Sequence, residues 1–396
     1  MANILKLRIN FNQVILFLFS LICLIITRQV PFSAIASLAN IAIILLFIFY
    51  FLGEGEKSDK KGKYFLFYLI WIGGLIAYSM ILQNDITLIL RFSLIIILLL
   101  LAYNIVLPIS CLDILLFFLV CQAIFLMGME VYLLQSTLNE TRFIRSFYSL
   151  KEWGDIYSFS GNYFFIQVKG NALLPFGFML TFIPLLENKK RKWFYRILLL
   201  GGIVCCGNFA YYISLFVFIL GIYIRRNNSK VQNYIFKLFL LLATLVCLSP
   251  FILNYVTEVL DRKNDVSLGT RSDQFYVLMN DLQDNIFTIF LGKGLGNVLT
   301  IATSFRDYTN NIYFELQSVY FLNQLGIFNF LLFILLNLYL SYKFICNKFL
   351  LFIYACYLIY AVTNPYFLDT NQIVVIIVLT SINKYINENR LCSSFI

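Results

Sequence analysis

Residues 86–106 have the sequence ITLILRFSLIIILLLLAYNIV, an apolar run in which Arg91 is the only charged side chain. A helix needs about 20 apolar residues to cross the hydrocarbon core of a bilayer, so this run predicts a transmembrane helix. Comparable runs lie along the chain on both sides of it. In total the sequence predicts about twelve spans, near residues 11–27, 34–53, 64–83, 86–106, 109–134, 171–187, 195–207, 210–224, 234–254, 319–341, 349–363 and 371–386.

The composition of the whole chain also indicates a membrane protein. Its 396 residues are 61% hydrophobic and 13% charged, about half the charged fraction of soluble domains. We therefore predict an all-α, polytopic membrane protein that forms a single domain over residues 1–396. The first run is interpreted as a retained span, because Arg28-Gln29-Val30-Pro31 follows it instead of a small-residue cleavage site.

Residues 195–224 are too many for one span and few for two, and Gly207-Asn208 predicts a turn that divides them. With twelve spans, the short basic connections all fall on the side of both termini, which the positive-inside rule makes cytoplasmic. Two long polar segments, about 135–170 and 255–318, then face outward. The basic connections contain Lys57, Lys60, Lys61 and Lys63; Lys189, Lys190, Arg191, Lys192 and Arg196; Arg225, Arg226 and Lys230; and Lys343 and Lys348.

The second outer segment predicts an amphipathic helix over the membrane-embedded body. Between Arg271 and Phe290, apolar residues recur at helical spacing, at positions 275, 278, 279, 282, 286 and 290. The run Gly292-Lys293-Gly294-Leu295-Gly296 that follows is interpreted as the end of this helix and a turn. It is not a phosphate-binding P-loop, since Gly294 stands where that motif requires Ser or Thr.

Several kinds of chemistry are excluded or disfavoured by what the chain contains. It has no histidine, which rules out His-based triads and His metal ligands. Its nine cysteines lie mostly within apolar runs, so we expect neither a disulfide framework nor a thiolate metal site. Asp261, Asp265 and Asp273 lack ligand spacing, and no metal or other cofactor is expected. The net charge of +10 is interpreted as a topology signal, so nucleic acid is not an expected partner.

Two outward-facing residues are the candidate catalytic groups. Arg271 lies in Gly269-Thr270-Arg271 at the predicted helix start, where it could grip phosphate oxygens; a solvated side chain or a pair with Asp273 is the alternative. Glu315 immediately precedes a span, and partial desolvation there could raise its pKa toward that of a general base. The alternative for Glu315 is a carboxylate that only favours the helix start.

Further cations are candidates for binding an anionic group. Arg91 lies about five residues inside its span, where an Arg is either functional or extends to the outer interface. Arg142, Arg145 and Lys169 lie in the first outer segment, and Lys293 in the second. The carboxylates of Glu130 and Asp369 are predicted near the same membrane level.

Four stretches together resemble the bacterial O-antigen polymerase and O-antigen ligase superfamily, whose members are polytopic inner-membrane glycosyltransferases. These are the stretch from Phe165 to Pro175, FIQVKGNALLP; Gly269-Thr270-Arg271 with the amphipathic helix and Gly292-Lys293-Gly294; Glu315 with Gly326 eleven residues later; and Thr363-Asn364-Pro365-Tyr366. They cover about the last 230 residues, and their order and membrane placement carry the resemblance.

The resemblance implies the polymerase branch and a set of roles. The ligase branch has a histidine where Glu315 stands, whereas polymerases often carry Glu. Family members tend to have an Arg in the turn between the two short spans, but this turn is Asn208-Phe209-Ala210-Tyr211-Tyr212. Arg91, Arg142 or Lys169 could substitute for that Arg.

The implied reaction is transfer of a growing glycan from undecaprenyl diphosphate to the next lipid-linked repeat unit at the periplasmic face, without a metal. Glu315 is the expected base, and Arg271 the principal cation, with Arg91, Lys169, Lys293 and Arg142 binding the diphosphate. The implied partners are lipid-linked donor and acceptor glycans and membrane lipid, with room for a chain-length regulator. Aromatic side chains that could stack on sugars are Tyr308, Tyr313, Trp153 and Tyr163.

Three other functions remain as alternatives. A flippase for lipid-linked oligosaccharides would share the span count and basic character, but should carry charges along a central cavity and have short outer loops. An O-antigen ligase is disfavoured by the missing histidine. A general secondary transporter is the most distant alternative, and no internal repeat supports it.

Overall fold

A computed structural model describes residues 11–31, 36–53, 62–151, 153–158, 163–183, 189–226, 269–303, 307–310, 312 and 314–388. The predicted span at 234–254 and the beginning of the second outer segment, up to residue 268, lie outside the described residues. So do Asp261, Asp265 and Tyr313.

The described chain is predominantly helical, as expected for the all-α class. The helices are α1 (Phe11–Ile26), α2 (Ala36–Gly53), α3 (Gly62–Ile81), α4 (Ile86–Ala102), α5 (Ser110–Gln135), α6 (Leu138–Leu150), α7 (Leu174–Leu180), α8 (Lys189–Cys206), α9 (Phe209–Arg226), α10 (Gly269–Leu282), α11 (Ile286–Leu291), α12 (Gln317–Ile345), α13 (Lys348–Val362) and α14 (Thr370–Glu388). The predicted division at Gly207-Asn208 is present, because α8 ends at Cys206 and α9 begins at Phe209.

Among the described residues, α5 and α12 are long and apolar enough to cross a membrane, and six further apolar helices are shorter. The helices expose large apolar side chains such as Leu52, Ile70 and Ile81, which suits a lipid surround. These findings support a membrane protein in general terms. The number of spans and their orientation stay predictions.

The candidate span at 171–187 differs from the prediction in its described part. It consists of a 3₁₀ turn (Lys169–Leu173) and the seven-residue helix α7, every residue of which is buried. Pro175 occupies the first turn of α7, and this helix packs against α5, α8, α9 and α13. Because no side of α7 is exposed, the described part of this segment is a central packing element, and its crossing of the membrane stays a prediction.

The single amphipathic helix predicted from Arg271 to Phe290 is two helices, α10 and α11. The break falls where polar side chains cluster, and such side chains compete with the helix for backbone groups. Asn285 caps α11 by accepting a hydrogen bond from the Thr288 N–H, and Thr288 Oγ1 accepts one from the Asn285 N–H. Leu278 and Leu282 are buried as predicted, whereas Ile286 and Phe290 are exposed.

The glycine turn after α11 crosses α12 at very close range. Gly292 ends α11 with φ of 82°, and Gly326 interrupts α12 with φ of 69°. A Cβ on Gly326 would lie 2.3 Å from Gly292 N, and one on Gly292 would lie 2.2 Å from Gln324 O. The crossing is held by the Lys293 and Gly294 N–H groups, which donate to the carbonyls of Asn323 and Gln324.

We expect Gly326→Ala to lower the free energy of unfolding by more than about 2 kcal/mol, because it adds left-handed strain to a backbone clash. Thermal unfolding of the detergent-purified protein measures this. Gly73→Ala on α3 is the matched control, since a Cβ there has no atom within 4 Å. Equal melting temperatures for the two variants would contradict the close crossing.

The first outer segment adds a small sheet that the all-α prediction did not include. Strands β1 (Gly154–Tyr157) and β2 (Phe165–Val168) pair antiparallel, with Gly154 opposite Val168 and Tyr157 opposite Phe165. Ile156 and Ile166 face the core and are almost fully buried. Together with α6, this hairpin folds the first outer segment onto the helical body.

Candidate functional site

Arg271 and Glu315, 44 residues apart in the sequence, form an ion pair. The Arg271 Nε–H donates to Glu315 Oε2 at 3.0 Å, and both side chains are about one-third exposed. Arg271 lies in the first turn of α10, and Glu315 lies in the turn before α12. The two candidate catalytic groups therefore share one solvent-accessible site.

Neighbouring contacts fix this ion pair in place. Gln274, one turn after Arg271 on α10, is fully buried and its amide oxygen accepts a hydrogen bond from the Leu316 N–H at 3.2 Å. Asp273 accepts a hydrogen bond from the Thr303 hydroxyl at 2.7 Å. Arg271 forms its ion pair with Glu315, so pairing with Asp273, the alternative considered from the sequence, is not the arrangement in the structure.

The β-hairpin of the first outer segment reaches the same ion pair. The pKa of Tyr157 is raised to about 12, mainly by burial and also by the charges of Asp155 and Glu315, while Arg271 acts to lower it. Asp155 is held by Arg145 through two hydrogen bonds of 2.9 Å, which anchor β1 to α6. Because its pKa is this high, the Tyr157 phenol keeps its proton near pH 7.

The structure also contains a polar cavity of about 280 Å³, whose wall includes neither Arg271 nor Glu315 but comes close to Glu315 along the chain. Ile312 and Gln317, on either side of Glu315 in the sequence, line it, and Gln317 Oε1 is a buried acceptor with no partner in the described structure. Three cationic residues, Arg28, Arg91 and Lys169, also line the cavity. The rest of the wall includes Trp153, residues 365–371 and parts of α1, α2 and α4.

Arg28 enters the cavity from the end of α1. One terminal nitrogen donates to the Ile25 carbonyl at 2.8 Å, and its guanidinium lies 4.1 Å over the Trp153 ring. Burial lowers the pKa of Arg28, which nevertheless stays protonated at neutral pH. Its Nε–H is buried and has no acceptor among the described residues, so a donor is available for an anion.

Arg91 and Lys169 are positioned by different elements. Arg91 is five residues into α4, as predicted, with an exposed side chain that makes no hydrogen bond or ion pair to any described residue. Lys169 follows β2, and its N–H donates to Trp153 O at 2.9 Å. The next residue, Gly170, lies so close to the Arg28 carbonyl that a Cβ would come within 2.3 Å.

Another part of the cavity wall comes from the segment that contains Thr363-Asn364-Pro365-Tyr366. Asn208, in the turn between α8 and α9, donates to Asn364 Oδ1 at 3.0 Å, and Tyr211 and Tyr366 share a hydrogen bond between hydroxyls. The turn at Asn208, which contains no Arg, is thus joined to the wall of the cavity that three cations line. Asp369, the wall's carboxylate, accepts hydrogen bonds from Thr370 and caps α14.

Two predicted diphosphate-binding residues lie elsewhere. The Lys293 ammonium pairs with Asp281 at 3.4 Å and with Asp284, so its charge is already matched and it does not line the cavity. Arg142 is exposed on α6 and is also absent from the cavity wall. Of the four predicted diphosphate-binding residues, Arg91 and Lys169 line the same cavity, and Lys293 and Arg142 do not.

Of the described aromatic residues predicted to stack on sugars, Trp153 lines the cavity, whereas Tyr308 and Tyr163 do not. Trp153 lines the cavity and contacts Arg28. Tyr308 is fully buried and stacks on Phe314, so its ring belongs to the core. The Tyr163 hydroxyl donates to the Val204 carbonyl, and its ring packs on Phe165 at a centroid distance of 5.0 Å.

Arg28 and Tyr157 were not predicted as site residues. Arg28 had a sequence signal, because it ends the first predicted span on the outward side, against the bias of basic residues toward the cytoplasm. Tyr157 had none, since its place depends on the pairing of β1 with β2 and on the fold of the second outer segment.

We expect Tyr157→Phe to lower the rate of the glycan transfer expected from the sequence about tenfold while leaving the protein folded, because only one hydrogen-bond donor is lost. The rate and the melting temperature of the purified protein check this. Tyr276→Phe, on the exposed surface of α10, is the matched control. An unchanged rate in Tyr157→Phe would show that the phenol has no part in the reaction.

Comparison with known proteins found no matching family model, no matching curated protein and no matching solved structure.

Proposed function

We propose that this protein is an O-antigen polymerase of the bacterial inner membrane. It transfers a growing glycan from its undecaprenyl diphosphate carrier to the next lipid-linked repeat unit. The observation that carries the proposal is the Arg271–Glu315 ion pair together with a cavity lined by Arg28, Arg91 and Lys169. A carboxylate paired with Arg271, with three further cations in a cavity lined by Gln317, suits a reaction that removes a proton from a hydroxyl and expels a diphosphate.

The cavity is the proposed site of the diphosphate. As the bond between the anomeric carbon and the diphosphate oxygen breaks, the electron pair leaves with that oxygen, and negative charge grows on the leaving group. Arg91, Lys169 and Arg28 stabilise this charge, since all three residues line one small cavity. This assignment replaces the single Arg that the resemblance places in the turn at Asn208.

Glu315 is the proposed general base. The acceptor hydroxyl oxygen forms the new bond to the anomeric carbon, and its proton passes to the Glu315 carboxylate. Arg271 holds that carboxylate through its Nε–H and has two terminal nitrogens with which to reach a phosphate oxygen. One guanidinium can therefore align the base with the leaving group. No metal is needed for these steps.

The remaining features are compatible with this function in general terms. We infer that the two polar segments that together build the site face the periplasm and that both termini lie in the cytoplasm. We infer that the donor and acceptor glycans enter from the periplasmic side. A flippase would require charges along a central membrane path, whereas the cations described above gather beside the outer segments.

The lipopolysaccharide ladder of a deletion strain tests the proposal. We expect the strain to show only single-repeat lipopolysaccharide, and wild-type protein to restore the ladder. Loss of the single-repeat band as well would point to export or ligation and would overturn the proposal.

A further inference from the structure

A second cavity, entirely different in character, lies on the other side of Arg28. It is an apolar groove of about 490 Å³ between α5 and α6, within the size range of ligand sites. We call it the α5–α6 groove. Its lining residues are Val30, Phe125, Gly128, Met129, Tyr132, Phe143, Ile144, Phe147 and Tyr148.

The groove is built from one face of each helix. On α5 the lining positions 125, 128, 129 and 132 follow helical spacing, and on α6 positions 143, 144, 147 and 148 do the same. Gly128 forms the floor, where a Cβ would have no atom within 4 Å. Phe125, Tyr132 and Phe143 are 44%, 52% and 72% exposed, so the groove opens to the surroundings.

The α5–α6 groove and the cationic cavity share a wall. Arg28 lines the cavity, and Val30, two residues later, lines the groove. A second pair of residues repeats this arrangement: Trp153 lines the cavity and Tyr148 lines the groove. The backbone N–H of Trp153 donates to the Tyr148 carbonyl at 3.0 Å. At this shared wall the guanidinium of Arg28 lies 4.1 Å over the Trp153 ring.

We propose that the α5–α6 groove binds the polyprenyl chain of the lipid diphosphate whose phosphates occupy the cavity. The inference rests on the proposed function and adds the path of the lipid. Two features support this occupant: the cavity is lined by three cations, and the adjoining groove is lined by aliphatic and aromatic side chains. A ligand with an anionic head and a long branched hydrocarbon tail matches both, and burial of that tail adds affinity roughly in proportion to its apolar area.

Photolabelling of the detergent-purified full-length protein tests this inference. The probe is undecaprenyl diphosphate with a diazirine on its isoprenoid chain, and labelled peptides are identified by mass spectrometry. We expect label on α5 and α6. Gly128→Phe fills the floor of the groove and should weaken saturable binding about tenfold or more. Gly74→Phe on α3 is the matched control, because that exposed helical glycine also has open space around its Cβ.

The outcomes separate the groove from the proposed function. Label elsewhere, or equal binding by the two Phe variants, would overturn the groove, and if Arg91→Ala still weakened binding, the proposed function would stand. Competition by phosphatidylglycerol as effective as that by undecaprenyl diphosphate would show a general lipid groove and overturn the inference. Absence of saturable binding by wild-type protein would overturn the inference and count against the proposed function too.

Discussion

Glu315→Gln is expected to lower the rate of glycan polymerisation by about 10²–10⁴-fold, the usual contribution of a positioned general base. The substitution removes the proton-accepting carboxylate and keeps the size of the side chain. A glutamine oxygen can still accept the hydrogen bond that Arg271 Nε now donates to Glu315 at 3.0 Å. The local structure is therefore preserved while the chemistry is lost.

The kinetic signature of Glu315→Gln distinguishes a base from a structural group. The turnover rate should fall, whereas the donor concentration at half-maximal rate should stay close to that of wild type, because the cations of the cavity are untouched. Purified protein with lipid-linked repeat units gives both quantities. A parallel loss of binding and turnover, or a lower melting temperature, would contradict the role of a base.

Glu140→Gln is the matched control for this experiment. Glu140 is an acidic residue of the same outward region, where its carboxylate accepts hydrogen bonds from the Thr137 N–H and hydroxyl at the start of α6. Glutamine serves equally well at that position of a capping box. We expect Glu140→Gln to polymerise at the wild-type rate, so a comparable loss there would show that any outward carboxylate change disturbs the protein.

The sequence predicted the helices better than it predicted the site. Apolar length located α1 to α5 and α12 to α14, and the Gly207-Asn208 turn was placed correctly because glycine and asparagine end helices. The division of the α10–α11 region was missed, since apolar spacing continued across Asn285 while the cap at that residue decided the break. The predicted span at 171–187 contains the short buried helix α7, and composition could not reveal this because an apolar run has the same composition in a protein core as in lipid.

The site depends on contacts between segments that are distant in the sequence, and local sequence patterns do not reveal such contacts. Arg271 and Glu315 were each predicted from a local signal, but their pairing depends on how α10 folds back onto α12, which periodicity does not encode. Lys293 was predicted from its charge alone, whereas Asp281 and Asp284 approach it only because α10 and α11 are separate helices. Local sequence thus indicates which groups could act, and the tertiary fold decides which charges are already matched.

Replacing Arg91 and Lys169 together by alanine is expected to have the largest effect on donor use, with a rate loss of at least about 10³-fold. Removing one donor that stabilises a developing anion typically costs about 10²–10³-fold, and these two residues face one cavity from different elements. Each single variant should lose less than the pair, because the partner cation and Arg28 remain. Measured polymerisation rates for the two single variants and the double variant check this.

The reason for expecting a catalytic and not only a binding defect is the charge of the leaving group. The diphosphate gains negative charge as the glycosidic bond to it breaks, so cations beside it stabilise the transition state more than the bound substrate. The turnover rate should therefore fall along with affinity, and Arg91→Lys should restore only part of it, since an ammonium lacks the paired donors of a guanidinium.

Lys348→Ala, an exposed cation at the start of α13, is the control and should leave the rate unchanged. If the double variant matched this control, the diphosphate would have to bind elsewhere, and Arg271 would be the remaining cation beside Glu315.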